Sequence, residues 1–109
     1  MPKATLIVLS NPVAGREAEY NDWYTNQHLD DVLKVPGIIG ATRLKLQGDL
    51  GTDITWRYCA LYDVDHADPA EILSELNARS GTDRMPLNDA LDINGVHAAI
   101  YVPFVTKKR

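Results

Sequence analysis

Apolar side chains recur every three or four residues through Gly15–Lys34, whereas much of the flanking sequence alternates with a period of two. In Gly15–Lys34 (GREAEYNDWYTNQHLDDVLK), at about 100° per residue, Tyr24, His28 and Val32 fall on one line. Ala18, Leu29 and Leu33 flank that line, and Glu19, Asn26 and Asp30 lie opposite. The pattern predicts one amphipathic helix with an inward-facing stripe. Ala4–Ser10, aliphatic and β-branched, predicts a strand, with the turn-rich Asn11–Gly15 (NPVAG) between the two. Val35–Gly37 (VPG) ends the helix, because proline disfavours helix in the residue before it.

In Ile38–Gln47, Thr42, Leu44 and Leu46 alternate with Ala41, Arg43 and Lys45, which predicts a half-buried second strand. Gly48–Asp53 (GDLGTD) reads as a hairpin-type loop. Trp56–Val64 follows as a third strand, with Trp56, Tyr58, Ala60 and Tyr62 on one face and Arg57, Cys59 and Leu61 on the other. Asp68-Pro69-Ala70-Glu71 starts a second helix: an aspartate cap, proline in the first position and glutamate three residues after the cap. That helix runs to about Arg79 and buries Ile72, Leu73 and Leu76; Ser80–Gly95 is a long loop and Val96–Val105 a last strand. The order predicts an α+β, ferredoxin-like βαββαβ domain over residues 1–109, a four-stranded antiparallel sheet with both helices on one face. The bare face would be too apolar to leave in water, so a homodimer with two sheets face to face is expected.

The composition narrows the function classes. A chain of 109 residues, 45% hydrophobic, suits one soluble domain without disulfide staples. Cys59 is the only cysteine, and with His28, His66 and His97 it shows no metal-site spacing, so no metal or other cofactor is expected. A net charge of −4 argues against a nucleic-acid partner. MPKATLIVLS carries only a short apolar run, which reads as a first strand and not as a signal peptide, and no stretch approaches the about 20 apolar residues of a membrane span. The expected setting is the reducing cytoplasm.

His28 is the strongest candidate for chemistry. A ring that titrates near neutral pH sits in the middle of an apolar stripe, and the alternative is a hydrogen-bonded core histidine. Tyr24 is one turn before it on the same line, so its phenol reaches the same space; packing alone is its other explanation. Asn21 lies near that line one turn further back and is positioned to orient a ligand. Trp23 projects about 140° away from the His28 line, which assigns it to packing under a loop or against a partner. Arg43 either binds a carboxylate or phenolate bidentately or pairs with a strand-edge acid. Tyr58, Tyr62 and His97 are further binding candidates whose sheet face the pattern leaves open. Asp31, about 60° from the His28 line, is placed to hold the imidazole tautomer, although a solvated pair with Asp30 is the simpler account.

Several of these residues together resemble a known family. Asn11-Pro12, Glu17 through Tyr24 (EAEYNDWY), His28-Leu29, Val35-Pro36-Gly37 and Ala41-Thr42-Arg43 resemble the EthD-type branch of the dimeric α/β-barrel superfamily. The resemblance covers about the first 45 residues closely; beyond them only the element order agrees. It implies a small dimer with a pocket in each subunit between sheet and helices, the helix histidine lining that pocket, and a superfamily range from cofactor-free cyclases, dehydratases, decarboxylases, isomerases and monooxygenases to haem enzymes. Asn11, Trp56 and His66 loosely resemble a residue set of the haem-degrading members, but His66 precedes Asp68-Pro69 and so falls outside the second helix. Two expectations follow. One is a cofactor-free acid–base enzyme, with His28 and Tyr24 catalytic, acting on a hydrophobic aromatic or polyketide-like molecule. The other is a non-catalytic protein that binds such a metabolite, with cofactor-free oxygenation of a phenol as a further possibility.

Overall fold

The computed structural model describes residues 3–109. β1 (Lys3–Ser10) is followed by a helical rod over residues 17–33, made of α1 (Glu17–Trp23), a π-helical turn (Tyr24–His28) and α2 (Leu29–Leu33). β2 (Ile38–Lys45), β3 (Tyr58–Asp65), α3 (Ala70–Arg79) and β4 (His97–Tyr101) complete the order. The strands form one sheet in the order β2-β3-β1-β4, with every neighbouring pair antiparallel. This is the expected α+β ferredoxin-like arrangement.

Register decides which side chains face the helices. Leu6 stands opposite Tyr62 and Ile100, and Ala60 stands between Val8 and Arg43. Ala4, Leu6 and Ser10 of β1 and Tyr58, Ala60, Tyr62 and Val64 of β3 are buried beneath the rod together with Tyr20, Tyr24, Val32 and Ile72. Full burial of a side chain such as Leu6 or Ile72 contributes roughly 1.5–3 kcal/mol. Ser10 is accommodated because its hydroxyl bonds the Tyr20 phenol at 2.6 Å.

A bulge controls β2. Ile38 pairs with Val64 and Gly40 with Asp63, so one residue on β2 is skipped. An extra residue reverses the in–out alternation of all that follows. Without it, Thr42 and Leu44 would share the face of Ile38; with it, Ala41, Arg43 and Lys45 stand opposite Tyr62, Ala60 and Tyr58. Glycine suits the position, since a Cβ on Gly40 would lie 2.8 Å from Asp63 Oδ2.

The ends of the elements depart from the sequence expectation for local reasons. β3 begins at Tyr58 and not Trp56, because the Asn11 side chain takes the preceding backbone. Its Nδ2 donates to the Thr55 carbonyl at 2.7 Å, and its Oδ1 accepts the Arg57 N–H at 2.8 Å. β4 stops at Tyr101, shortly before Pro103, which has no N–H for the ladder. At α3 the helix starts one residue later than expected, with Pro69 at the cap; Asp68 Oδ1 accepts the Ala70 N–H at 3.2 Å, but the Asp68 N–H goes to His66 Nδ1 and not to Glu71. The 80–95 segment folds back on the body: Val13 donates to the Ala90 carbonyl at 2.7 Å and Asp92 to that of Asn11 at 3.0 Å, with Met85, Ala90 and Leu91 buried.

Gly37 makes the turn into β2 with φ of +99°, and a Cβ there would lie 3.0 Å from His66 Cδ2 and 3.1 Å from Ile72 Cδ1. Gly37→Ala is expected to cost about 2 kcal/mol in urea unfolding. Gly48→Ala, where φ is unexceptional and a Cβ meets nothing within 4 Å, should stay within about 0.5 kcal/mol.

Candidate active site

The rod is continuous but its pitch is not uniform. The Leu29 N–H donates to the Tyr24 carbonyl five residues back, the bond that defines a π turn. Such a turn brings residues five apart over one another. Trp23 therefore lies against His28, with ring centroids 4.7 Å apart and planes tilted by 32°. The regular 100° wheel placed Trp23 far from that line; the π turn moves it into the core, where it is buried. Tyr24 meets the same imidazole edge-on, at 4.9 Å and 78°.

A cavity of about 220 Å³ lies between the sheet, the rod, α3 and the 80–95 segment. Tyr24, His28 and Tyr62 bring its aromatic polar groups, and Leu6, Val8 and Val32 supply much of its apolar floor. The volume is below the roughly 300–1,000 Å³ of pockets for drug-sized ligands, which points to a small occupant. Three polar residues that the sequence pattern had not singled out also line it: Ser10, Asn77 and Ser80. A signal for two of them was present, since Asn77 and Ser80 continue the Leu73–Leu76 stripe at helical spacing. Met85 lines the cavity, whereas Arg84 lies outside it, its guanidinium 3.9 Å from Glu75.

His28 is largely withdrawn from water, and its Nδ1 is buried with no hydrogen-bond partner. Burial lowers its pKa to about 4; the charge of Asp31 opposes the shift, and that of Arg43 adds to it. The imidazole is thus neutral at physiological pH, with one ring nitrogen unprotonated. Asp31 is close to buried and its Oδ2 also lacks a partner. Burial raises the Tyr24 phenol to about 12 and pushes Tyr62 up as well. Both phenols stay protonated, so each serves as a hydrogen-bond donor. The Tyr62 hydroxyl is buried and neighbours the Tyr24 hydroxyl, without a well-formed hydrogen bond between them.

Asn21, Arg43 and Tyr58 gather elsewhere. Arg43 donates from Nη2 to Asn21 Oδ1 at 2.9 Å and from Nη1 to Thr25 Oγ1 at 3.0 Å. Asn21 donates in turn to the Tyr58 hydroxyl at 3.1 Å, and Tyr58 to Glu17, which also accepts from Arg57 at 3.0 Å. The Tyr58 hydroxyl bond, ahead of the Arg57 charge, holds the Glu17 carboxyl below its ordinary range. Arg43 Cζ sits 4.5 Å from the Tyr24 ring centroid, 5.1 Å from that of Tyr58 and 5.3 Å from that of Tyr20. None of Asn21, Arg43 and Tyr58 lines the cavity.

His97 is on the opposite face of the sheet, paired with Leu9, and Trp56 packs edge-on against it at 4.7 Å. Trp56 also donates from Nε1 to the Gly95 carbonyl at 2.8 Å. His66 accepts the Asp68 N–H on Nδ1 at 2.9 Å, just ahead of α3. Among the described residues no group of three or more His, Cys, Asp or Glu converges on a metal-binding geometry, and no helix is long and apolar enough to cross a membrane.

Two solved structures share this architecture. An ethyl tert-butyl ether D (EthD) family protein from Bacillus halodurans C-125 superposes with a TM-score of 0.58 at 12% identity, covering 95% of this chain and 100% of its own. The fold is EthD-like. A proposed monooxygenase from Shewanella loihica PV-4 superposes at 0.60 with 19% identity, covering 96% and 97%. No family sequence model matches the chain, nor does any curated protein sequence. The EthD-like fold therefore rests on the three-dimensional arrangement.

Because His28 is held neutral, the folded state binds fewer protons than the unfolded one between its ordinary pKa of 6.5 and about 4. Its contribution to stability is complete above pH 6.5 and is lost as pH falls through that window, by about 3 kcal/mol in all. The difference in unfolding free energy between wild type and His28→Gln should therefore shrink as pH falls from 7 to 4, and the imidazole proton resonances should titrate near pH 4.

Proposed function

We propose that this EthD-like protein is an acid–base enzyme acting on a small hydrophobic aromatic or polyketide-like molecule in the cavity between sheet and helices. One observation carries this reading: an imidazole whose Nδ1 is buried without a partner borders an apolar cavity beside two phenols. A histidine that served packing alone would have its nitrogens bonded, since leaving a buried polar group unsatisfied costs about 1–3 kcal/mol.

The chemistry follows from the protonation states. His28 removes a proton from a carbon next to a carbonyl, or from a phenol hydroxyl, and becomes imidazolium. Negative charge then develops on the ligand oxygen, and the protonated Tyr24 and Tyr62 hydroxyls donate to it. Return of the proton to another carbon or to the oxygen completes an isomerisation. Its delivery to a departing hydroxyl as the C–O bond breaks completes a dehydration, and its delivery to a carbonyl oxygen that the ligand's own carbanion has attacked completes a cyclisation. Asn21, Arg43 and Tyr58 act behind the site, holding the rod in place. The likeness to a proposed monooxygenase favours one second reading, in which the phenolate formed at His28 reacts directly with oxygen.

Deuterium uptake tests the first reading without knowledge of the natural substrate. Acetophenone and resorcinol in D₂O, followed by proton NMR, should exchange their acidic C–H positions faster with wild type than with His28→Gln, by about 10²-fold or more. Equal rates for the two proteins would sink the assignment, and oxygen uptake with resorcinol would move it to the second reading.

We further propose that two copies pair through the open sheet face. Ile7, Leu9, Leu44, Cys59 and Leu61 share that face, opposite the helices, and Leu44 is 44% exposed. Sedimentation velocity at micromolar concentration should give a dimer, and Leu44→Asp with Leu61→Asp should give a folded monomer; a monomeric wild type would refute the pairing.

A further inference from the structure

We infer that the cavity is selective for ligands without net charge, such as a phenol or an aryl ketone, and excludes carboxylates. The inference rests on the acid–base reading above and specifies its substrate class. Its basis is the composition of the wall. Of the sixteen residues lining the cavity, none is Lys, Arg, Asp or Glu. The polar atoms that remain belong to hydroxyls, one amide and the imidazole of His28.

An anion in such a space has no counter-charge in contact with it, since Arg43 stands behind the Tyr24 ring and not in the lining. Burying an unpaired carboxylate is among the costliest transfers a protein makes, and side-chain dipoles alone offset little of it. The obvious partner for a carboxylate is Arg43, and it is already engaged. Its two terminal nitrogens donate to Asn21 and Thr25, and its guanidinium lies over the ring of Tyr24. His28 supplies no positive charge either, because the same apolar surroundings keep it deprotonated. The carboxyl of Asp31, outside the lining but close enough for its charge to act on His28, adds repulsion.

A neutral ligand meets none of these penalties. When His28 takes its proton, an imidazolium and an enolate or phenolate arise side by side, and the cavity as a whole remains neutral. The unpartnered Tyr62 hydroxyl has a donor to offer an oxygen of such a ligand. One phenol or ketone oxygen would satisfy it, and a hydrocarbon would not.

A matched pair of probes tests this. 4-Ethylphenol and 4-ethylbenzoate differ in charge at pH 7 and little in shape, and both titrations are followed by calorimetry and by the His28 imidazole resonances. The phenol should perturb those resonances and bind at least about tenfold more tightly than the benzoate. Tyr62→Phe should weaken the phenol several-fold while leaving the benzoate weak. Leu87→Lys should reverse or abolish the preference, because Leu87 lines the cavity and is exposed enough for lysine to be tolerated. Equal or tighter binding of the benzoate by wild type overturns charge exclusion and leaves the acid–base site standing. Binding of neither probe, with the His28 resonances unmoved, overturns the ligand cavity itself and this inference with it.

Discussion

Arg43 fixes the rotation of the first helix on the sheet, and the rest of the site depends on that angle. Its guanidinium reaches from β2 to two side chains of the rod, Asn21 and Thr25, and lies over the rings of Tyr20, Tyr24 and Tyr58. Each cation–π contact is worth about 0.5–1 kcal/mol where water remains near, and more where it does not. Their value here is geometric: together with the Ser10–Tyr20 bond they leave the rod one orientation. In that orientation Tyr24 and His28 face inward. Arg43 points to the rod only because the bulge at Gly40 reverses the alternation of β2, so a single glycine and an arginine three residues later act as one device.

The π turn is the second constraint. It overlays Trp23 on His28 and puts Tyr24 edge-on to the same ring, so the imidazole is walled by aromatic surface on more than one side. Aromatic walls exclude water and bring few hydrogen-bond acceptors. The low pKa of His28 and the high pKa of Tyr24 therefore share one cause, the removal of solvent from a group whose charged form needs it. Desolvation wins over the nearby Asp31 charge. The result is an imidazole and two phenols held in their uncharged forms.

The same packing separates two polar systems that would otherwise compete. Glu17, Asn21, Arg43, Tyr58 and Arg57 form one chain of donors and acceptors, in which Glu17 pairs with Arg57 and Arg43 is held by the neutral Asn21 and Thr25. His28, Tyr24 and Tyr62 stand in the cavity with little to bond. Polarity in that chain is thus satisfied within the protein, while the unpaired His28 Nδ1 and Tyr62 hydroxyl belong to the cavity lining and the unpaired Asp31 Oδ2 and Asp65 Oδ1 do not. Closure comes from the 80–95 segment, whose buried Met85 and Leu91 complete the wall and whose backbone is tied to Asn11 and Val13.

The sequence alone determined the element order, the antiparallel sheet and the inward line of Tyr24 and His28, because these follow from spacing along one short segment. Period-two and period-3.6 patterns are local, and so are the Asp68 cap, the VPG stop and the alternation within β3. What only the tertiary structure decided is everything that depends on phase between distant segments. The bulge at Gly40 chose the face of Arg43, Asn11 displaced Trp56 from β3, and pairing with Leu9 set His97 on the open face. The sequence pattern offered Asn21, Arg43, Tyr58, Tyr62 and His97 as equal candidates to bind a ligand, since each carries suitable chemistry. Register brought Tyr62 to the cavity with Tyr24 and His28, linked three of the others into a brace for the helix, and put the fifth across the sheet. A pattern along the chain carries no information about a one-residue slip or an i,i+5 turn, because either shifts the phase without changing the composition.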